Sequence, residues 1–363
     1  MDPEIDRMET DSPRSYGYSD TSSAFSDCNS DRSGEFSPSS IAVAAGSGGA
    51  TLQRLLLSCA AAESSDEVIR TLVSELEFLS SPVESLRRAA LELRLLAKHN
   101  PENRLRIAAA GAVRPLIDLL SHADPVLQEH GVTALLNLSL CDENKSPIAA
   151  AGAIRPLVRC LKTGTAAARE NAACTLVRLA QLDGLAASIG RAGAIPLLVS
   201  LLESGTPRGK KDASTALYAL CAGRSRENKI RAVEAGVVRP LLDLMADPES
   251  GMVDKAAFVL NAVIVTAEGR VAAVDEGGIP VLVEMVEVGS PRQKEIATLC
   301  LLQICEDSSV YRLMVVREGA IPPLVAFSQS SAAKPKLRTK AEALIEMLRQ
   351  PRSGSVRAGG GSH

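Results

Sequence analysis

The stretch AAGAVRPLIDLL (109–120) returns five more times along the chain: AAGAIRPLVRCL (150–161), RAGAIPLLVSLL (191–202), EAGVVRPLLDLM (234–245), DEGGIPVLVEMV (275–286) and REGAIPPLVAFS (317–328). The anchoring glycines, Gly111, Gly152, Gly193, Gly236, Gly277 and Gly319, are spaced by 41, 41, 43, 41 and 42 residues. A proline follows each by three or four positions (Pro115, Pro156, Pro196, Pro240, Pro280, Pro322). A period near 42 is that of two- or three-helix solenoid units and excludes the shorter tetratricopeptide and leucine-rich units.

Two further series run in phase with the glycines. Ser81-Pro82, Asp124-Pro125, Thr206-Pro207, Asp247-Pro248 and Ser290-Pro291 each put a capping oxygen before a proline, and Thr165 keeps the phase without one. Such pairs start helices, because the side-chain oxygen accepts from free first-turn N–H groups and proline has no N–H to leave unpaired. Glu102, Glu143, Glu227 and Glu268 fall nine residues before their glycines. The unit therefore reads as three helices. A short one ends at the glycine, whose positive φ allows a sharp turn. The second carries the PLxxLL pattern. The third opens at the capping pair, as in PVLQEHGVTALLNLSL (125–140), where Val126, Leu127, Ala134, Leu135 and Leu138 recur near helical spacing. No unit can bury its apolar face alone, so neighbours must stack. The expected organisation is an all-α, right-handed solenoid. Residues 100–349 hold six repeats, and 50–99 supply capping helices and a partial leading repeat.

Composition agrees. The 363 residues are 46% hydrophobic but 2% aromatic, with no Trp. Such a core suits closely packed helices better than aromatic-lined ligand pockets or base-stacking platforms. Net charge is −3, unevenly spread. Residues 1–49 carry nine acids, three Arg and twelve Ser, and read as a disordered leader with Ser12 and Ser37 each before a proline. Residues 332–363 carry seven Lys or Arg against two Glu, and 350–363 read as a flexible tail. Lys334, Lys336, Arg338 and Lys340 read as a solvated helix end, and nucleic-acid binding is not expected. The N-terminus has no apolar signal region, and the longest apolar run, Ala256–Ala267, is too short to span a bilayer. A cytoplasmic or nuclear location is expected.

The same reading leaves little room for catalysis. The eight cysteines form no C-x-x-C pair and read as buried thiols. GTPRGKK (205–211) has the wrong glycine spacing for a phosphate loop, and Lys211 stands where a magnesium-binding Ser or Thr would be. His122 and His130 have no acidic or thiol partners at ligand spacing. Cys300 and Cys305 have no histidine within their repeat. No cofactor, metal or small-molecule substrate is expected, and the chain reads as a non-enzyme.

The Gly-Ala-Ile/Val-Pro-x-Leu-Val pattern resembles armadillo repeats. RRAALELRLLAKHNPENRLRIAAAGAVRPLIDLL (87–120), TALLNLSLCDENK (133–145) and STALYALCAGRSRENKIRAVEAG (214–236) resemble the armadillo region of plant U-box ubiquitin ligases. FSDCNSDRSGEF (25–36) is similar to the leader of a plant subgroup carrying only the armadillo part. The Cys-Pro-Ile-Ser-like stretch, Asp-Pro-Val element and Trp-bearing helix of a U-box do not occur in order here, and Asp124-Pro125-Val126 belongs to the repeat series. The resemblance implies a protein-binding scaffold whose third helices line a concave groove. It places Asn137 at a ladder position where the amide would pair with the backbone of an extended peptide. Arg178 takes that place in the next unit, with Ala219, Ala262 and Gln303 as approximate equivalents. Helical spacing adds His130, Asn171, Asp212 and Lys255 to the same face, and Arg88 in the leading unit. The alternative is a role in ubiquitination, as a substrate adaptor or as a ligase.

Overall fold

A computed structural model describes residues 66–78, 81–330 and 334–350. The leader at 1–49, the capping helix expected within 50–64 and all but the first residue of the tail at 350–363 lie outside them. All described regular structure is helical. Two helices, α1 (Asp66–Glu77) and α2 (Val83–His99), form the leading partial repeat. Six three-helix units follow. Their first helices are α3 (Pro101–Ala109), α6 (Asp142–Ala150), α9 (Leu185–Arg191), α12 (Arg226–Glu234), α15 (Ala267–Asp275) and α18 (Ser309–Arg317). Their second helices are α4 (Val113–Leu119), α7 (Ile154–Thr163), α10 (Ala194–Ser204), α13 (Val238–Met245), α16 (Gly278–Val288) and α19 (Ile321–Gln329). Their third helices are α5 (Pro125–Leu138), α8 (Ala166–Ala180), α11 (Pro207–Cys221), α14 (Val253–Val263), α17 (Pro291–Glu306) and α20 (Pro335–Arg349).

The glycine series does what its period implied. All six anchoring glycines take φ between 75° and 89°. This left-handed backbone lets the first helix stop and the second leave at a steep angle within two residues. A Cβ at Gly152 would meet nothing within 4 Å, so only the backbone demands glycine there.

The capping series is more varied. Asp124 accepts from the N–H groups of Val126 and Leu127, Thr165 from Ala168, and Thr206 from Gly209. Ser290 and Gln293 form a reciprocal capping box. Two positions depart. Ser81 makes no cap, because α2 starts at Val83 with Pro82 itself in the cap position. Asp247 caps only a 3₁₀ turn at Pro248–Ser250, and Gly251 in left-handed backbone delays α14 to Val253.

The main apolar core runs through the stack from Ile69 to Leu348, and a small separate cluster of Leu299, Phe327, Leu337 and Ala341 lies near its C-terminal end. Ala89, Ala90, Ala172, Ala173, Ala213, Ala216, Ala256 and Ala257 of the third helices are fully buried, or nearly so, which brings these helices close together. Successive third helices pack along most of their length, whereas successive second helices touch only locally. The more tightly spaced layer lies on the inside of a curved stack, so the third helices form its inner face.

Candidate protein-binding face

The inner face is a row of polar side chains that link each of these helices to the next. Arg94 on α2 lies 3.1 Å from His130 Nδ1 and 4.0 Å from the Glu129 carboxylate. Asn171 on α8 donates to Thr133 Oγ1 at 2.8 Å. Its Oδ1 accepts from Arg208 of α11 at 2.8 Å. The Arg208 guanidinium also stands 3.6 Å from Glu170 and 3.5 Å from Asp212, within ion-pair range but too long for direct hydrogen bonds. Arg87 with Asp124 and Arg292 with Asp254 continue the row at its two ends. Near the second of these, Arg292 lies 5.0 Å over the Phe258 ring, which meets Tyr218 edge-on.

Side chains in this row also tie the helix caps together. Thr165, which caps α8, donates to Glu129 of α5 at 3.1 Å. Thr206, which caps α11, donates to Glu170 of α8. Gln293 in the capping box of α17 donates to Asp254 of α14 at 2.9 Å. Each cap is thus held by an acid on the previous unit.

Burial sets the ionisation of two members. His130 is pushed down to about 4, first by desolvation and then by the Arg94 charge, so its ring is neutral at pH 7. Asp212 is pushed up to about 6, chiefly by desolvation, which Arg208 only partly offsets. The Cys160, Cys221, Cys300 and Cys305 thiols are pushed up to about 12 by burial. These four are held as thiols, and His130 is too weak a base to activate a nucleophile. Among the described residues no group of three His, Cys, Asp or Glu could hold a metal ion. No single described helix is long and apolar enough to cross a membrane.

The residues named from sequence fall into three sets. His130, Asn171, Asp212 and Lys255 do come together along successive third helices, with the Lys255 charge acting on Asp212. Asn137 at 1% and Arg178 at 7% exposure are buried, as are Asn171, Asp212 and Lys255. The Asn137 amide donates to the Arg94 carbonyl at 3.1 Å, so it joins two helices of the scaffold. Gln303 is half-buried on α17, and its Oε1 has no hydrogen-bond partner. Arg88 is exposed and pairs with Glu75 of α1 at 3.1 Å, away from this row. Arg94, Glu129, Glu170 and Arg208 carry much of the network and were not anticipated. A signal existed for the two acids: each lies five residues after its cap residue, Asp124 or Thr165.

A second set of polar positions binds the units together. The buried Asn144 donates at 3.0 Å both to the Arg104 carbonyl of the previous first helix and to the Leu138 carbonyl of the preceding third helix. Asn228 does the same to Ala186 and Leu220, at 2.9 and 3.0 Å. Arg104, Arg270 and Arg312 each donate to two carbonyls at the end of the preceding third helix. These asparagines and basic residues stand eight and seven positions before the anchoring glycine, directly after the Glu series. They satisfy helix-end carbonyls that would otherwise lack partners.

The model of the plant U-box protein ARM repeat region matches residues 62–356. U-box domain-containing protein 4 of Arabidopsis thaliana is 59% identical over 240 residues, 66% of this chain and 28% of that protein. U-box domain-containing protein 12 of Oryza sativa subsp. japonica is 49% identical over 301 residues, 83% of this chain and 49% of that protein. The chain therefore spans less than half the length of these relatives. The crystal structure of an engineered protein from the Northeast Structural Genomics Consortium superposes with a TM-score of 0.68 at 27% identity, covering 78% of this chain and 68% of the other.

Proposed function

The chain belongs to the plant U-box protein ARM repeat family, and from that premise we propose that it is a non-catalytic scaffold or adaptor that binds a segment of a protein partner along the inner face. The observation that carries this reading is the row from Arg94 to Lys255, in which each of five successive helices, α2, α5, α8, α11 and α14, adds a polar group to one connected network. A partner laid across the row meets the partly exposed Glu129 and Arg208, with Asn171, Asp212 and Lys255 buried beneath them. Many modest contacts then share the affinity, and the partly exposed Arg208 stands at the centre.

The test compares proteins captured from plant extract by the wild-type chain and by an Arg208→Gln variant. Gln keeps an amide to pair with Asn171 but removes the charge. Loss of specific partners, with thermal stability within about 1 kcal/mol of wild type, supports the reading. An unchanged set of partners moves the site elsewhere. Truncating Asn137 or reversing Arg178 is a poorer test, because both side chains are buried and their loss perturbs the scaffold.

A second reading is favoured by the relatives themselves, among them a protein named E3 ubiquitin-protein ligase SPL11 from Oryza sativa subsp. japonica, 53% identical over 75 residues. On this reading the chain works in ubiquitination, delivering a substrate to a ligase or acting as one. In an assay with activating and conjugating enzymes, autoubiquitination by this chain alone would establish ligase activity. Ubiquitination of a captured partner only when a separate ligase is added would establish the adaptor role.

A further inference from the structure

The second helices carry a repeated surface pair that fails in one unit. Three residues after the anchoring glycine stands Arg114 in the first unit and Arg239 in the fourth, and four residues later stands an aspartate. The pairs form as expected, with Arg114 Nε 3.2 Å from Asp118 and Arg239 Nε 3.0 Å from Asp243. In the second unit the same two places hold Arg155 and Arg159. Helix α7 adds Lys162 and contains no acid. All three side chains are exposed. Arg159 donates to Ser121 Oγ at 3.0 Å, and among the described residues no carboxylate pairs with Arg155, Arg159 or Lys162. Two guanidinium groups one turn apart repel each other unless an anion lies between them.

This strip differs from the other basic regions. On the inner face Arg87, Arg94, Arg208 and Arg292 each face a carboxylate. In helix α20, Glu342 follows Arg338 by four residues, and the Glu295 charge acts on Lys340. The strip on α7 is a basic cluster with an open demand for negative charge.

The chain itself contains a matching segment. MDPEIDRMETD (1–11) carries five acids and one Arg, a net of −4. Fifty-four residues (12–65) separate it from α1. At coil dimensions a span of that length covers about 40 Å. The second unit lies two repeats from α1, roughly 20 Å at ordinary helix-packing distances. We propose that the Arg155–Arg159–Lys162 strip docks the acidic segment 1–11 of the same chain on the outer surface, leaving the inner face open. Ser12 follows that segment directly, so a phosphate there would strengthen the contact by adding negative charge beside the guanidinium groups.

The test is zero-length carbodiimide cross-linking of the full chain, read by mass spectrometry on a mixture of natural and isotope-labelled protein. The expected result is an amide between Lys162 and Asp2, Glu4, Asp6, Glu9 or Asp11 of the same chain. Its yield should exceed that at Lys211 or Lys336, and should fall about fivefold or more in an Arg155→Gln/Arg159→Gln variant or in high salt. Trypsin should cleave after Arg7 faster in that variant than in wild type. The variant residues are exposed, so an unchanged melting temperature verifies the fold. Links spread evenly over the exposed lysines, or formed between different chains, would overturn the proposal. So would the absence of a Lys162 link together with binding to phosphatidylserine vesicles that the double variant abolishes, which would assign the strip to a membrane surface.

Discussion

Replacing Asn144 by Ala tests how the units are joined. The side chain is 4% exposed and its Nδ2 makes two hydrogen bonds of 3.0 Å, one to Arg104 in the preceding unit and one to Leu138 at the end of α5. Each such bond contributes about 1 kcal/mol net, and the vacated space adds up to about 1 kcal/mol. The Leu138 carbonyl still accepts from the Cys141 N–H at 3.2 Å, so it is not orphaned. The expected loss is about 2–3 kcal/mol. Asn144→Asp keeps the shape but turns a donor into a charged acceptor facing two carbonyls, and should cost at least as much. Urea denaturation followed by helical circular dichroism gives the total. Hydrogen exchange gives its location: because a solenoid couples nearest neighbours, amides in α3, α5 and α6 should exchange faster while those in α16 to α19 keep their wild-type rates. A loss below about 0.5 kcal/mol, or faster exchange spread evenly along the chain, would refute the assignment of Asn144 as an inter-unit tie.

Three further predictions follow from single sites. Gly152→Ala should cost about 1–2 kcal/mol by denaturation, because φ is +83° and a Cβ meets no neighbour, while Gly152→Asn should cost less. His130 titrates near 4 in the folded chain against 6.5 in the unfolded one, so stability is lost as pH falls from about 6.5 to 4; His130→Gln should remove roughly 3 kcal/mol of that acid sensitivity, read from melting temperatures across the range. Asp212 has the opposite sign: its folded value is raised to about 6 from 3.8, so stability falls as pH rises through that window and the penalty is complete above it. Asp212→Asn should therefore be stabilising at pH 7.5, by up to about 3 kcal/mol, and close to neutral at pH 4; equal melting shifts at the two pH values would count against the burial argument.

The repeat was legible because glycine and proline act locally. A left-handed turn excludes side chains wherever it occurs, so Gly111 to Gly319 record the fold directly in the sequence. Capping pairs were legible for the same reason, with Ser81 and Asp247 as exceptions: Pro82 itself occupies the cap position at one, and the Gly251 turn intervenes at the other. The face was only partly legible. Spacing placed His130, Asn171, Asp212 and Lys255 on neighbouring helices, but could not tell depth along a helix that is buried on nearly all sides. Asn137 therefore read as a ladder amide, whereas its partner is a carbonyl 43 residues away in sequence. Arg94 and Arg208 lie outside the periodic series, and their roles depend on long side chains reaching back across a helix. Asn144 and Asn228 were within reach of the sequence, one residue beyond the Glu series, because an amide at that place in an otherwise apolar junction needs a backbone partner.

The most direct test places a photo-cross-linking amino acid at one position per surface: at Arg208 on the inner face, at Arg155 on the outer strip and at Val271, exposed on α15. Irradiated in plant extract, the chain should cross-link a discrete partner from position 208 and not from 155 or 271, and an excess of unlabelled chain should compete the product away. Equal or stronger capture from position 271, with none from 208, would contradict the claim that the third helices form the binding face.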